Sequence, residues 1–406
     1  MSSVHDLNQP VVLDLGSGLT KGGYAGTPDP SVVIGTLTGH AKLQRVLPSA
    51  TAAPDMPGTP DGSRGKYGEA TSSGGSVFVG EQLRNMCGVL RLEHAMQRGM
   101  VTDWSGAEEI WRHVSTDLLS VAHGEHPFLV TENALNARWN RERMGEFFFE
   151  SLNAPSLCVA VPGVLSLYAS GRTSGLVVDV GDTLTTTMAV ADGHVDVHAM
   201  RRSEVGGRDV TERLGTLLQK SGVSLMGTSS EREAVRRVKE RLCYIAEDAR
   251  EEERRFIDEG VGGGKLGASF RLPDGNVLQV GTERFRAGEI VFRPHLMGAE
   301  VDGVAQSVHS CTQAVDMHLR RALYGSVLLS GGSTLLRGFC TRLLREVRAL
   351  APSNCKIRIH APTDRLYSAF TGGSVLACLS TTFRSMAVSR SEYFEHGAGV
   401  LHHKCL

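Results

Sequence analysis

The sequence has no excess of charge. Its 43 Lys and Arg oppose 44 Asp and Glu, a formal charge of −1 at neutral pH, so no basic field draws it directly to nucleic acid or to an anionic membrane. No apolar run is long enough to form a transmembrane segment. Residues 1–10 are polar and lack the apolar centre of a signal peptide. The eight cysteines are scattered, without a single Cys-x-x-Cys pair. That argues against a disulfide framework and for reduced thiols in the cytosol or nucleus. His402 and His403 adjoin, but no Cys or carboxylate spacing accompanies them, which reads as a surface pair rather than a metal centre. What remains is an ordinary globular composition, 41% hydrophobic over 406 residues, enough for a large core and two domains. Glycine is the exception, with 47 residues, and several fall in a repeated motif.

Val11-Val12-Leu13 reads as a buried strand that Asp14 ends, and Gly16 and Gly18 then permit a turn that side chains would obstruct. Ser17 and Lys21 add a hydroxyl and a positive charge, which outlines a phosphate cradle. One such hairpin is more often just a hairpin. A second copy raises its weight: Leu176-Val177-Val178-Asp179-Val180-Gly181-Asp182-Thr183 repeats the plan, with another strand from Thr185 to Val190. A third glycine turn follows in Val327-Leu328-Leu329-Ser330-Gly331-Gly332-Ser333. Two such hairpins suggest two related halves facing one nucleotide, with Asp14 and Asp179 holding a Mg²⁺ through its waters.

The rest of the chain alternates strands and helices. A strand is expected near Ser31 to Leu37, and Ser105 is the expected cap of a helix carrying Ile110, Trp111 and Val114. Phe128 to Glu132 and Leu157 to Val161 read as buried strands. Met144, Phe147, Phe148 and Leu152 share one helix face, and Val164, Leu167 and Tyr168 fall on the next helix. Ser230-Glu231-Arg232-Glu233 reads as a capping box before a buried face of Val235, Val238, Leu242 and Ile245. Glu251 to Glu259 is a charge run expected as an exposed insertion, and Leu272 to Gly275 as a turn between strands. Residues 48–75, rich in Gly, Pro, Ser and Thr, read as a flexible loop.

The hairpins, together with Leu165-Ser166-Leu167-Tyr168-Ala169-Ser170-Gly171-Arg172-Thr173, Gly207-Arg208-Asp209, Lys239-Glu240-Arg241-Leu242-Cys243-Tyr244 and His403-Lys404-Cys405, resemble actin, in order and nearly end to end. Val11 to Gly18, Phe285-Arg286-Ala287, Phe292-Arg293-Pro294 and Arg365-Leu366-Tyr367-Ser368 are similar to the centractin branch of actin-related proteins, which builds the dynactin minifilament. The resemblance implies an α/β, actin-like ATPase-domain fold: two duplicated α/β domains around a central nucleotide cleft. Residues 1–35, 81–169 and 368–406 would form an outer domain, with 36–80 as an inserted filament-contact loop region. Residues 170–205 and 297–367 would form the inner domain, with 206–296 inserted in it.

It also implies a site for ATP or ADP with Mg²⁺. Ser17, Gly18, Leu19, Lys21, Gly181, Asp182 and Thr183 would face the phosphates, with Asp14 and Asp179 at the metal. On spacing alone Arg236, Lys239 and Glu240 are solvated helix charges; the resemblance assigns them to adenine and ribose, with Gly207, Gly331, Gly332, Ser333, Leu335 and Leu336. Leu335 and Leu336 stand where actin has a larger Met and Tyr against the base. Val375 to Leu379, otherwise plain buried helix, would line with Tyr168 and Thr173 an apolar cleft that accepts amphipathic helices from actin-binding or dynactin-type partners.

Two departures touch catalysis. Hydrolysis needs a water held in line with the γ-phosphate and a route for its proton. Where actin uses a Gln and a His for this, the chain has Pro162 and Thr186. Thr183 also replaces a glycine beside the phosphates. The expectation is a nucleotide binder with little or no turnover: a cytoskeletal, cytoplasmic subunit that self-assembles or joins other actin-family subunits. A divergent conventional actin and a nuclear chromatin-complex subunit are the alternatives. A small-molecule kinase would need a substrate loop that is not found, and a chaperone of the Hsp70 type a peptide-binding domain.

Overall fold

The computed structural model describes residues 9–41, 77–80, 83, 90–261, 267–272 and 274–405. The loop expected at 48–75 lies outside the described residues. Two large sheets carry the fold. The first contains β1 (Val11–Leu15), β2 (Leu19–Tyr24), β3 (Val32–Gly35), β9 (Phe128–Thr131), β10 (Ser156–Ala160) and β19 (Val388–Ser389), in the order β19-β10-β9-β1-β2-β3. β1, β9 and β10 run parallel. Their near-continuous apolar sequences suit strands covered on both faces, and β1 and β9 are buried at every residue.

The second sheet repeats the plan. β11 (Gly175–Val180) and β12 (Thr185–Ala191) form an antiparallel hairpin beside parallel β17 (Val327–Ser330). β18 (Ile359–His360), β13 (His194–Val195) and β14 (Arg201–Ser203) complete it. In both sheets a hairpin supplies one aspartate at a strand end, and a parallel neighbour supplies a hydroxyl beside it: Thr131 on β9 and Ser330 on β17.

The expected strand at 31–37 breaks at Thr36. Its hydroxyl donates to Gly16 O at 2.6 Å and its amide donates to Gly18 O at 3.2 Å, which pins the corner to the first glycine turn. The chain then leaves as β4 (Leu37–Ala41), which pairs with β5 (Phe78–Val79) and β6 (Leu90–His94) in a small sheet. β7 (Met96–Gln97) pairs with β8 (Met100–Val101), and β15 (Ala268–Arg271) with β16 (Val277–Val280) through the expected turn, where Gly275 takes a φ of +90°.

Two helix starts differ from expectation. Asp103, not Ser105, caps Trp104–Arg112. Asp103 is extended, so its carboxylate accepts from Gly106 N at 3.1 Å, and the Ser105 hydroxyl is spent on the same carboxylate at 2.7 Å. The helix Ser229–Leu242 is capped by Thr228, whose hydroxyl accepts from Glu231 N while Glu231 accepts from Thr228 N. Ser230 already lies in the first turn. Val235 and Val238 are wholly buried as expected, whereas Ile245 is buried beyond the helix end. The run at 251–259 belongs to a helix, Ala249–Val261, whose Phe256 ring lies tilted against Phe285, centroids 5.6 Å apart. Met144, Phe147, Phe148 and Leu152 are all buried, around Trp111 and Phe128. Among the described residues no helix is long and apolar enough to cross a membrane.

The helices Pro162–Ala169 and Ser368–Cys378 join the two sheets and cross closely: a Cβ on Gly372 would lie 1.7 Å from Leu165 O. Beside the crossing, Ser166, Ser330 and Ser368 close a buried triangle of hydroxyls with edges of 3.1, 3.2 and 3.1 Å. The stretch Val375–Leu379 is not uniformly core. Leu376 and Ala377 are buried, but Val375 and Leu379 are 47% and 53% exposed, because a helix face that packs on one side leaves its other side to solvent. Replacing Gly372 with Ala should force the crossing helices apart and cost about 3 kcal/mol, read as earlier unfolding in a thermal melt.

Candidate functional site

The three glycine turns meet. They line one cleft of about 680 Å³ between the two large sheets, within the range of small-ligand sites. The tips of the two hairpins face each other: a Cβ on Gly18 would lie 2.9 Å from the Asp182 Cβ. The third turn seats beneath the second hairpin. Gly331 has a φ of +86°, and a Cβ there would meet Val180 O at 2.3 Å and Asp179 Oδ1 at 2.7 Å. Side chains could not make this approach.

The cleft floor is charged. Asp14 and Lys21 are cross-strand partners in β1 and β2, and Lys21 Nζ donates to Asp14 Oδ2 at 2.7 Å while Thr131 Oγ1 donates to Asp14 Oδ1 at 2.7 Å. Asp179 occupies the matching place in the second hairpin, opposite Thr186. Burial pushes its carboxyl above the usual range, and Lys21 and a hydrogen bond from Ser330 oppose that. Two carboxylates thus lie near one ammonium, an arrangement that favours another cation.

Around this floor the backbone has donors to spare. Gly16 N is bonded to Leu19 O and Gly181 N to Leu184 O, but the amides of Ser17, Gly18, Asp182 and Thr183 make no backbone hydrogen bond among the described residues. The Thr183 hydroxyl is buried without a partner. Unpaired amides on two facing turns form a concave anion site. These orphaned donors, with carboxylates positioned behind them, fit a phosphate chain and a hydrated divalent cation.

The far end of the cleft differs. Lys239, which burial pushes below the usual ammonium range, donates to Gly207 O at 2.8 Å, and Ser333 Oγ donates to Gly181 O at 2.8 Å. Arg236 is held by Glu233 at 2.7 Å and Glu240 at 3.1 Å. Leu335, 42% exposed, and Leu336 supply the apolar surface. Every site residue expected from sequence therefore lines the same cleft: Asp14, Ser17, Gly18, Leu19 and Lys21 from the first hairpin; Asp179, Gly181, Asp182 and Thr183 from the second; Gly207, Arg236, Lys239 and Glu240 from the inserted helices; and Gly331, Gly332, Ser333, Leu335 and Leu336 from the third turn. Pro162 lines it too. Thr186 is buried in β12 and is not among the lining residues.

Sequence reasoning left out Thr131, Arg208 and Tyr244 as site residues. Thr131 ends an apolar strand just as Asp14 does, but only the parallel register of β1 and β9 sets them side by side. Arg208 ties three elements together: it grips Asp182 Oδ2 at 2.8 and 3.1 Å, and its Nη2 also reaches Ser17 O at 3.3 Å and His94 Nδ1 at 3.0 Å. Tyr244 lies between the guanidinium groups of Arg284 and Arg337, 5.1 and 5.4 Å from its ring. Of the histidine pair, His402 contacts Glu142 at 2.9 Å and His403 is exposed.

Comparison with known proteins agrees with this geometry. The actin family model matches residues 5–406. An "Actin-like protein" of Neurospora crassa is 42% identical over 390 residues, 96% of each chain.

The Arg208 tie is pH-sensitive. His94 must be neutral to accept from a guanidinium, and burial, then Arg208, lowers its pKa to about 4. A histidine depressed below its unfolded pKa of about 6.5 contributes stability that is present above that pH and lost as pH falls toward 4. The melting temperature should therefore drop over this window, and His94→Asn, an acceptor that does not titrate there, should flatten the drop.

Proposed function

The chain belongs to the actin family, and from that premise we propose that it is a cytoskeletal actin-related subunit that binds ATP or ADP with Mg²⁺ in the cleft and hydrolyses it slowly or not at all. The observation that carries the reading is the unpaired donors of the two facing hairpins over the Asp14–Lys21–Asp179 floor. Lys21 and the amides of Ser17, Gly18, Asp182 and Thr183 hold the phosphates. The carboxylates of Asp14 and Asp179 orient the cation's waters. Arg236, Lys239 and Glu240 hold ribose and base, which packs on Leu335 and Leu336. When bound, Mg²⁺ neutralises phosphate charge.

Little among the described residues of the cleft activates water. Pro162 stands at the first position of the helix Pro162–Ala169, where proline is favoured because no amide bond is needed. It brings neither donor nor acceptor into the cleft from its side chain. Thr186 lies behind the lining and is no base at neutral pH. The remaining charges bind the ground state as well as the transition state, and uniform binding does not accelerate the chemical step. Nucleotide then serves to set the angle between two domains, the outer and inner ones expected from sequence, rather than to be consumed.

The partners proposed are other actin-family subunits, in a short filament or a complex such as dynactin in the cytoplasm, with helix-bearing proteins at the face around Val375, Leu379, Tyr168 and Thr173. Negative-stain microscopy with ATP tests this assembly: short rods support it, and monomers at every concentration oppose it.

Binding and turnover are separately testable. Thr183→Val, which removes the unpartnered hydroxyl and keeps the shape, should weaken ATP by about tenfold or more in equilibrium titration. Asp179→Asn should weaken Mg²⁺–ATP more than ATP in chelator. Single-turnover hydrolysis should run about 10²- to 10⁴-fold below a conventional actin measured alongside, and Pro162→Gln with Thr186→His should raise it. Equal rates in the unmodified protein would overturn the catalytic reading.

A further inference from the structure

β10 has β9 along one side, but β19 covers only its beginning, where Ser156 and Leu157 pair with Ser389 and Val388. The rest of that edge is closed by Cys405. The Cys405 sulfur accepts the Val159 amide at 3.4 Å, and the thiol lies 3.8 Å from Met386 O. Val159 N is covalently next to Cys158, so this contact holds the Cys405 sulfur within about 6 Å of the Cys158 α-carbon. Cys158 and Cys405 are both wholly buried.

The pair is asymmetric. A hydrogen bond from Cys158 holds the Cys405 thiol below its usual range, against the opposing effect of burial, and the Val159 amide and the Arg141 charge reinforce it. Arg141 also binds the Cys405 carbonyl, with Nη1 to O at 2.5 Å. The buried thiols of Cys243 and Cys311 lack such a partner, and burial pushes each up to about 12. Cys405 also closes the last short helix, Leu401–Lys404, which is fastened by Lys404 to Glu392 at 2.6 Å and by Arg141. Local opening of this four-residue helix would expose both sulfurs together.

We infer that Cys158 and Cys405 form a redox-active dithiol, a modification site that closes to a disulfide under a peroxide-class oxidant. The Cys405 thiol releases its proton, the thiolate attacks a peroxide oxygen and breaks the O–O bond to become a sulfenic acid, and the departing hydroxide takes up that proton to leave as the first water. The Cys158 sulfur then attacks the Cys405 sulfur. The S–S bond forms, the S–OH bond breaks, and hydroxide takes the Cys158 proton to leave as the second water. Two thiols lose two electrons and one hydrogen peroxide is reduced to two waters. The closed form fastens the helix Leu401–Lys404 to β10 near the edge of the first sheet.

Peptide mapping tests this without a variant. The full chain is treated with a small excess of hydrogen peroxide, denatured in N-ethylmaleimide, digested and analysed by mass spectrometry. The expected result is loss of two of the eight thiols, a Cys158–Cys405 linked peptide, and recovery of both on reduction. Cys158→Ser should leave Cys405 as a sulfenic acid that dimedone traps, and Cys405→Ser should leave Cys158 reduced. Eight alkylated cysteines after peroxide, linkage between other cysteines, or Cys405 sulfinic acid without a linked peptide would each overturn the proposal. Should a variant fail to fold, the wild-type map alone decides.

Discussion

Two aspartates and one lysine at the floor of the cleft set the terms for the rest of the molecule. Asp14 is almost fully buried and shares its oxygens between Lys21 and Thr131. Asp179, partly buried, shares the field of the same ammonium and has the Ser330 hydroxyl beside it. Removing one member of such a set leaves a buried charge without compensation. The carboxylates stay together because their strands are locked by register on both sides: antiparallel to their own hairpin and parallel to the strand that brings the hydroxyl. The duplicated sheets follow from this need, since each half must deliver one carboxylate and one unbonded turn to the same place.

The cleft also shows local stability and chemistry drawing on the same positions. A proline at the first turn of a helix is locally favourable, yet that position points into the cleft where a water would need a partner. Glycines at 18, 331 and 372 are required by close approach, whereas Thr183 puts a hydroxyl on a turn whose counterpart, Gly18, carries no side chain.

Much of this was legible in the sequence because the signals were local. An apolar run, an aspartate and two glycines specify strand and turn within eight residues, and repetition revealed the duplication. Where capping went astray, at Asp103 and Thr228, several residues able to cap stood within three positions, and backbone angles rather than composition chose among them. The strand expected at 31–37 read as continuous because the bonds that break it, from Thr36 to Gly16 and Gly18, reach back across the hairpin.

The sequence by itself determined the strands, the glycine turns and the identity of the acidic and basic groups, since each depends on residues within one turn or strand of one another. Only the tertiary structure decided which of them meet. Thr131 beside Asp14, Arg208 across both hairpins and His94, Thr186 behind the cleft wall, and Cys405 against the edge of β10 are contacts between segments from 16 to 246 residues apart. Parallel register and helix crossing place them, and neither leaves a mark on the amino acids nearby.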